Sequence, residues 1–145
     1  MPLTDRARQI IETLSTCENI GDAESYYQEL RTLEQSFNDD HVKLSLVQIL
    51  SVIGNTERFL ILDALREKDR CVCELEAILN KSQSTVSHHL KELEKVHLVQ
   101  GWKKGKFTHY SLVQPKFQEI LAQFTEWVEG ISNWSMSLPG INRVA

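Results

Sequence analysis

Apolar residues recur at every third or fourth position along most of the chain, which is the spacing of helices that bury one face. The pattern predicts helices over about 3–16, around Tyr26–Phe37 and Val42–Ile53, over about 57–67, from the Cys71-Val72-Cys73 run to about Leu79, over about 83–95, and from Pro115 onwards. The run Phe59–Leu62 is apolar on several faces, so we expect the helix over 57–67 to be buried. The chain is therefore expected to be mainly α-helical.

Between the last two predicted helices the period changes to the alternation of strands. Residues 96–102 and 106–112 flank Lys103-Lys104-Gly105, so the sequence predicts a two-stranded hairpin with a cationic tip. The order helix, turn, helix, hairpin is that of a winged helix-turn-helix. The predicted fold class is mainly α with a small β-hairpin, a winged helix-turn-helix preceded by extra N-terminal helices.

Charge is distributed unevenly along this chain, whose length fits one compact domain. The net charge is −4, and residues 1–53 hold nine acidic side chains against four basic ones, whereas residues 81–116 hold seven Lys against two Glu. Affinity for DNA depends on the local neutralisation of phosphates and not on the charge of the whole chain. Because the basic segment coincides with the predicted turn, second helix and hairpin, double-stranded DNA is the expected partner.

The predicted helix over 83–95 has two faces of different character. Val86, Leu90 and Leu93 form a narrow apolar arc that must face the core, and His89 beside this arc is expected to be packed there. The opposite arc carries short polar and basic side chains, which can reach base edges or phosphates in the major groove. The expected DNA contacts are Gln83, Ser84, Thr85, Ser87, His88 and Lys91 on this helix and Lys103, Lys104 and Lys106 on the hairpin. We expect the lysines to contact phosphates, which adds affinity but little sequence information.

Cys71 and Cys73 stand at the start of the helix that precedes the turn. Thiolates select soft ions, so the pair, with Cys17 as a weaker candidate, is predicted to bind trivalent arsenic or antimony, cadmium or zinc as an effector. Side chains at i and i+2 of an ideal helix point about 200° apart. Cys71 must therefore lie in an unwound segment leading into the helix, or the two sulfurs must serve different partners. The same geometry makes a direct Cys71–Cys73 disulfide unexpected.

Other interpretations of the cysteines stay open. Arg66, Lys68 and Arg70 precede the pair, and together with the helix N-terminus they should favour the thiolate form. A thiolate is equally suited to a redox switch with no metal. Small cysteines also flank apolar stripes for packing alone, which is the leading interpretation for Cys17 because it falls on the stripe of its own predicted helix.

Four segments, in order along the chain, resemble the ArsR/SmtB family of metal-responsive repressors of bacteria and archaea. They are Ile53–Leu62, Cys71–Leu75, Gln83–Lys91 and the hairpin that ends in Tyr110–Leu112, and the resemblance covers residues 44–130, about 60% of the chain. The resemblance implies an obligate dimer that binds an operator without effector and leaves it when metal binds. It also implies that Cys71 and Cys73 occupy the thiolate site of arsenic-, cadmium- or lead-responsive members.

The chain departs from the family pattern in two places. Arsenic sensors of one type have a third cysteine three residues after the second, and this chain has Glu76 there. Residues 114–131 hold no His and no Asp, so the ligand pattern of the zinc sensors is absent from the last helix. Residues 1–43 extend beyond the usual family core. Cadmium-type members take further cysteine ligands from such an extension, and Cys17 could play that part.

The last predicted helix carries an apolar stripe that is large for a terminal helix of a small domain, which favours pairing with a second copy. We expect a homodimer in which residues 1–43 are a helical extension packed on the dimer, 44–135 are the DNA-binding and dimerisation domain, and 136–145 are a tail. The sequence shows no secretory signature and no apolar stretch that could cross a bilayer, so a cytoplasmic protein with reduced thiols and no membrane partner is expected.

These patterns predict a transcriptional repressor that is released from its operator by a thiophilic ion bound at Cys71 and Cys73. The sequence has no phosphate loop, no paired-carboxylate site and no nucleophile with its base, so catalysis is not expected. Two alternatives remain. One is a winged-helix regulator whose cysteines act as a thiol redox switch, and the other is a winged-helix protein-interaction module without a metal effector.

Overall fold

The computed structural model describes residues 2–131, so the predicted tail over 136–145 and the end of the predicted 44–135 domain lie outside the described residues. The chain divides into two compact units, residues 1–44 and 45–145. The first holds α1 (Asp5–Ser15), α2 (Ala23–Asn38) and the beginning of α3 (His41–Ile53). The second continues with α4 (Thr56–Glu67), β1 (Arg70–Cys71), α5 (Val72–Leu79), α6 (Gln83–Lys95), β2 (Val99–Lys104), β3 (Phe107–Leu112) and α7 (Gln114–Glu129).

In the first unit α1 packs against α2, and each helix begins at a side-chain cap. The Thr4 hydroxyl accepts a hydrogen bond from the backbone N–H of Ala7, and the Asp22 carboxylate caps α2 in the same way. Cys17 lies beyond the end of α1 at an exposed position. The expectation that Cys17 faces the surface covered by the α1 stripe is therefore wrong, because the helical period stops at Ser15.

The core of the second unit forms around α6. Val86, Leu90 and Leu93 are each 0% exposed, and His89 is 8% exposed, which confirms the predicted inner face and the packed histidine. These side chains meet buried residues of α3, α4, α5 and the start of β2. With its inner face fixed in this way, α6 presents its polar residues on the opposite side.

Helix α4 is only half buried, so the expectation that it is the buried helix is wrong. Ile61 and Leu62 lie in the core, but Phe59 is 59% exposed and Leu60 is 39% exposed. The cause is that α5, α6 and β3 pack against the inner side of α4. Within residues 2–131 no single helix has the length and apolar character to cross a membrane, and α3 and α4 meet those criteria only jointly, with an 89° bend between them.

The sheet has three antiparallel strands in the order β1-β3-β2. The predicted hairpin is confirmed as β2 and β3, with Trp102 opposite His109 and Lys104 opposite Phe107. The third strand, β1, pairs with the other edge of β3 and places Cys71 opposite His109. This strand escaped sequence analysis because two residues are too few to show an alternating pattern.

Candidate DNA interface and thiol pair

The outer face of α6 is a continuous polar surface. Ser84, Ser87, His88 and Lys91 follow one another at the spacing that places side chains on one side of a helix. Ser84, His88 and Lys91 are exposed, as is Gln83 at the first turn, and Ser87 is half buried. The residues of α6 that are predicted to contact DNA, apart from Thr85, therefore share one accessible surface.

Thr85 differs from its neighbours because it belongs to the helix cap. The Ser82 hydroxyl lies 3.3 Å from the backbone nitrogen of Thr85 and 3.0 Å from its hydroxyl, and it also meets the Ser84 hydroxyl at 3.1 Å. These hydrogen bonds fix the first turn of α6. Asn80, in the left-handed conformation with φ 51°, turns the chain between α5 and α6. Thr85 thus has a structural partner whether or not DNA is bound.

The hairpin carries its three predicted lysines at exposed positions, but only Lys106 lies in the turn. Lys103 and Lys104 belong to β2, and the turn is formed by Gly105, with φ 61°, and Lys106. Lys103 Nζ donates to the Thr108 hydroxyl at 2.8 Å, and Lys106 Nζ lies 5.5 Å from the centre of the Phe107 ring. Successive strand residues point to opposite faces, so Lys103 and Lys104 present their charges on different sides of the hairpin.

The hairpin is tied to the C-terminal half of α6. The backbone N–H of Gly101 donates to Glu94 Oε1 at 3.2 Å. A Cβ at position 101 would lie 3.2 Å from both that oxygen and the Tyr110 ring, so only glycine fits this approach without displacement. Burial, and then the nearby Glu94 charge, raise the pKa of Tyr110 above its ordinary value. The C-terminal half of α6 and the hairpin are therefore in direct contact through Glu94, Gly101 and Tyr110.

The outer face of the hairpin carries a stacked aromatic pair that sequence analysis did not single out. The Trp102 and His109 rings are 4.8 Å apart at an angle of 24°, and Trp102 Nε1 donates to the Ser111 hydroxyl at 2.8 Å. The alternation of the two strands could have indicated this pair. These contacts stabilise the face of β2 and β3 that lies between the hairpin lysines and Cys71.

Cys71 is at once the last residue of β1 and the N-cap of α5. Its backbone is extended, with φ −75° and ψ 161°, and its sulfur accepts a hydrogen bond from the backbone N–H of Glu74 at 3.4 Å. The prediction that Cys71 lies in an unwound segment leading into the helix is confirmed. The side chain of Cys71 is buried, whereas Cys73, the second residue of α5, is exposed.

The structure contains a Cys71–Cys73 disulfide, with the two Cα atoms 5.4 Å apart. The expectation that these residues would not bond to each other is therefore wrong. Side chains at i and i+2 diverge when both residues are helical, but the extended backbone of Cys71 turns its sulfur toward that of Cys73. The same convergence allows the reduced pair to offer two sulfur donors to one ion.

The basic residues before the pair are largely compensated by acidic neighbours. Arg66 lies 3.2 Å from Asp63. Arg70 lies 2.8 Å from Glu67 and 3.6 Å from Glu74, and its Nε also donates to the Ala64 carbonyl at 2.9 Å. Arg70 thus holds the end of α4, β1 and the first turn of α5 together. Its support for a thiolate is weaker than the sequence suggested.

Residues 2–131 contain no group of three His, Cys, Asp or Glu side chains placed to hold a metal ion. The candidate ligands are therefore the two converging sulfurs of Cys71 and Cys73, and Cys17 belongs to the other compact unit. Two sulfurs are the right donor type for a thiophilic ion but do not complete a coordination shell.

The thiol pair adjoins both elements that carry the candidate DNA contacts. Cys71 lies opposite His109 on the strand that forms half of the hairpin. Helix α5, which begins at its cap, packs directly against α6. A change at the sulfurs can therefore reach α6 and the hairpin without an intervening loop.

A polar cluster that sequence analysis missed joins α4 to the turn before α6 and to the middle of α6. His89 Nε2 lies 2.5 Å from Glu57 Oε2, and Lys81 Nζ lies 3.3 Å from Glu57 Oε1. The hydrogen bond from His89, followed by that from Lys81, lowers the pKa of Glu57. Glu57 and His89 are 32 residues apart in the chain, so no local pattern could have predicted their contact.

A family profile, related sequences and solved structures all indicate the same family for this chain. The profile described as the arsR family of bacterial regulatory proteins matches residues 55–100. A helix-turn-helix transcriptional regulator of Methanocaldococcus jannaschii is 36% identical over 75 residues, 51% of this chain and 84% of that protein. The cadmium resistance transcriptional regulatory protein CadC of Listeria innocua is 31% identical over 78 residues, 53% of this chain and 66% of that protein. The solved structure of HlyU from Vibrio cholerae matches with a TM-score of 0.50 at 30% identity, over 59% of this chain and 96% of that one.

A helix with a buried inner face, a polar outer face and an adjoining cationic hairpin defines a winged helix-turn-helix regulator of transcription that binds DNA. The chain belongs to the ArsR family of bacterial regulatory proteins. The family inferred from the four sequence segments is thereby confirmed. Its members are transcriptional regulators and not enzymes, which also confirms the expectation that this protein is not a catalyst.

Proposed function

We propose that the protein is a homodimeric repressor that leaves its operator when a thiophilic metal or metalloid binds at Cys71 and Cys73. The observation that carries the proposal is the position of Cys71, which ends the strand paired with the hairpin and caps the helix packed against α6. Relatives named for cadmium resistance and for arsenical resistance support an ion of this class. Such a regulator acts where the DNA is, in the cytoplasm.

The candidate DNA surface consists of the exposed face of α6 and the hairpin lysines. Gln83, Ser84, Ser87 and His88 have the donors and acceptors to read base edges. Lys91 on α6 and the three hairpin lysines supply the phosphate contacts. Thr85 contributes by holding the first turn of α6, where its hydroxyl is shared with the Ser82 cap.

The sulfurs would influence this surface through the first turn of α5. Cys71 and Cys73 would hold the ion, which would supply a soft Lewis acid to both sulfurs. The hydrogen bond that the Cys71 sulfur accepts from the Glu74 N–H would then weaken, which would let the N-terminus of α5 shift relative to β1. Because α5 packs on α6, the shift favours a dimer whose recognition helices no longer match two half-sites.

The exposed apolar residues of α7 support the homodimer. Leu121 is 67% exposed, Trp127 is 51% exposed, and Phe124 stacks on Trp127 with the ring centres 5.9 Å apart. Phe117 and Ile120 of the same helix pack against the core, so α7 is anchored while its outer stripe is open. An apolar stripe of this kind on a terminal helix fits a second copy related by two-fold symmetry. Residues 1–43 are the proposed extension that packs on this dimer, and Cys17 is their candidate additional ligand.

The test is a mobility-shift titration with the reduced protein and a duplex that it selects from a random-sequence library. Arsenite, cadmium and zinc are added in parallel. The double variant Cys71→Ser/Cys73→Ser should bind the duplex as tightly as the unmodified protein and should ignore every ion. Serine at position 71 keeps an N-cap acceptor, so the variant should fold. Cys17→Ser, titrated in parallel, shows whether Cys17 is a further ligand, and a normal response of the double variant contradicts the metal role of Cys71 and Cys73.

A second candidate is favoured by the disulfide itself. In a redox switch, a peroxide oxidises the two thiols to the Cys71–Cys73 disulfide, the thiols lose two protons and two electrons, and each hydrogen peroxide is reduced to two waters. Peroxide alone would then change operator affinity in metal-free buffer, and a dithiol reductant would restore it. A metal sensor responds only to added ion. A protein-interaction module would show neither response and no salt-dependent affinity for DNA.

A further inference from the structure

We propose that Glu57 is a positioning residue for DNA recognition, because its carboxylate holds the recognition helix α6 at two points. Oε1 forms an ion pair with Lys81, in the turn that leads into α6. Oε2 forms a hydrogen bond with His89, in the middle of that helix. This inference rests on DNA binding through the outer face of α6. It adds a residue of α4, remote from the candidate contacts in the chain, to the determinants of sequence specificity.

The two attachments differ in character. The His89 side chain is 10% exposed and its Nε2 lies 2.5 Å from Glu57, so this contact is packed against the core. Its other ring nitrogen, Nδ1, is buried and has no hydrogen-bond partner among residues 2–131, so Glu57 is the polar contact of the ring within this range. The Lys81 side chain is 49% exposed and lies at the surface. The Glu57 carboxylate thus has one buried contact, with His89, and one surface contact, with Lys81.

The spacing of these attachments restrains the orientation of α6. Lys81 lies two residues before α6 and His89 is the seventh residue of α6, so the two contacts hold the turn and the middle of the helix. A helix held at one residue can rotate about that contact, whereas a second contact from the preceding turn to the same carboxylate opposes the rotation. Glu57 is suited to the role of neighbour because it lies in the first turn of α4, whose N-terminus is fixed by the Asn55 cap.

Orientation affects base contacts more than phosphate contacts. A hydrogen bond to a base edge weakens steeply beyond about 3.2 Å or when it is misaligned. The attraction between lysine and phosphate extends over about a Debye length and tolerates small rotations. Loss of the Glu57 attachments should therefore reduce discrimination between sequences while leaving non-specific affinity high. The expected loss in the ratio of selected to scrambled duplex affinity is roughly tenfold, equivalent to about one good base contact.

The experiment measures both affinities on the same preparation of each variant by fluorescence anisotropy, so that the inactive fraction cancels from their ratio. Glu57→Ala removes both attachments, and Glu57→Gln keeps an oxygen acceptor of the same reach for His89. The ratio should fall about tenfold for the alanine variant and by less for the glutamine variant. Asp63→Asn is the matched control, because it removes the same charge from α4, where Asp63 pairs with Arg66, 3.2 Å away.

A second pair of variants covers the case in which Glu57→Ala does not fold. Lys81→Met removes the surface attachment without entering the core, and Lys95→Met removes an equal charge from the far end of the same helix. The inference predicts a lower ratio for Lys81→Met and an unchanged ratio for Lys95→Met. The inference is overturned if the Glu57 and Lys81 variants lose both affinities in parallel, because that is the effect of a merely structural role. If the unmodified protein itself selects no sequence, DNA recognition by α6 fails together with this inference.

Discussion

The cationic hairpin offers the most direct test of how the protein holds DNA. In the triple variant Lys103→Gln/Lys104→Gln/Lys106→Gln, three exposed charges are removed while side-chain length is largely kept. Each phosphate contact contributes about 0.9 to the slope of log affinity against log salt concentration. We expect two or three of these charges to contact phosphates in each protomer, because Lys103 and Lys104 point to opposite faces of the hairpin and one of them can face away from the DNA. The slope should therefore fall by about 1.8 to 2.7 for each bound hairpin.

The assay is fluorescence anisotropy of a labelled duplex over a series of salt concentrations from about 50 to 200 mM, the range in which phosphate contacts dominate the salt dependence. The selected and the scrambled duplex should show the same change in slope, because phosphate contacts carry no sequence information. Lys116→Gln is the control, since Lys116 pairs with Glu119 on α7, 3.2 Å away, and its slope should match the unmodified protein. An unchanged slope in the triple variant would refute the assignment of the hairpin to DNA.

Three further predictions concern the thiol pair, the polar cluster and the dimer. In reducing buffer, Cys71→Ala should unfold about 1 kcal/mol more easily than Cys71→Ser, because only serine can cap α5, and equal urea midpoints would contradict the capping role. Glu57 has a folded-state pKa below its ordinary 4.5, so its hydrogen bond from His89 stabilises the fold fully above that pH and is lost as the pH falls through the lowered value. The melting temperatures of the unmodified protein and Glu57→Gln should differ by a constant amount near neutral pH and converge on acidification, and divergence would refute this sign. Leu121→Asp should shift the dimer to monomer in sedimentation velocity while circular dichroism shows retained helix, and an unchanged dimer would exclude this stripe as the interface.

The sequence was most informative where a periodic pattern ran through a whole element. The apolar arc of Val86, Leu90 and Leu93 predicted both the bounds of α6 and its buried face, since three side chains on one arc leave a single way to pack. The hairpin followed from the change in period, and its turn was misplaced by a residue because Lys103 and Lys104 suit either strand or turn. Helix α4 was misjudged because an apolar run does not reveal on how many sides neighbours pack.

The candidate site was harder to predict from the sequence than the helices, because it depends on local backbone conformation and on long-range contacts. The bond between Cys71 and Cys73 was missed because sequence periodicity treats both residues as helical, whereas one of them is extended. Pairing of β1 with β3, which places Cys71 opposite His109, joins segments 38 residues apart and leaves no local signature. The contact between Glu57 and His89 belongs to the same class, because the two residues are 32 positions apart in the chain.

In the proposed mechanism, the residues that detect the ion are separate from those that read DNA. Cys71 and Cys73 lie at a strand–helix boundary, whereas the proposed DNA contacts lie on the outer face of α6. Replacing the pair with other donor residues would therefore retune the stimulus and leave the target genes the same. By contrast, residues inserted between Cys71 and Val72 would separate the cysteine on β1 from helix α5. Ion binding would then no longer change DNA affinity, although the protein could still bind the ion and the DNA separately.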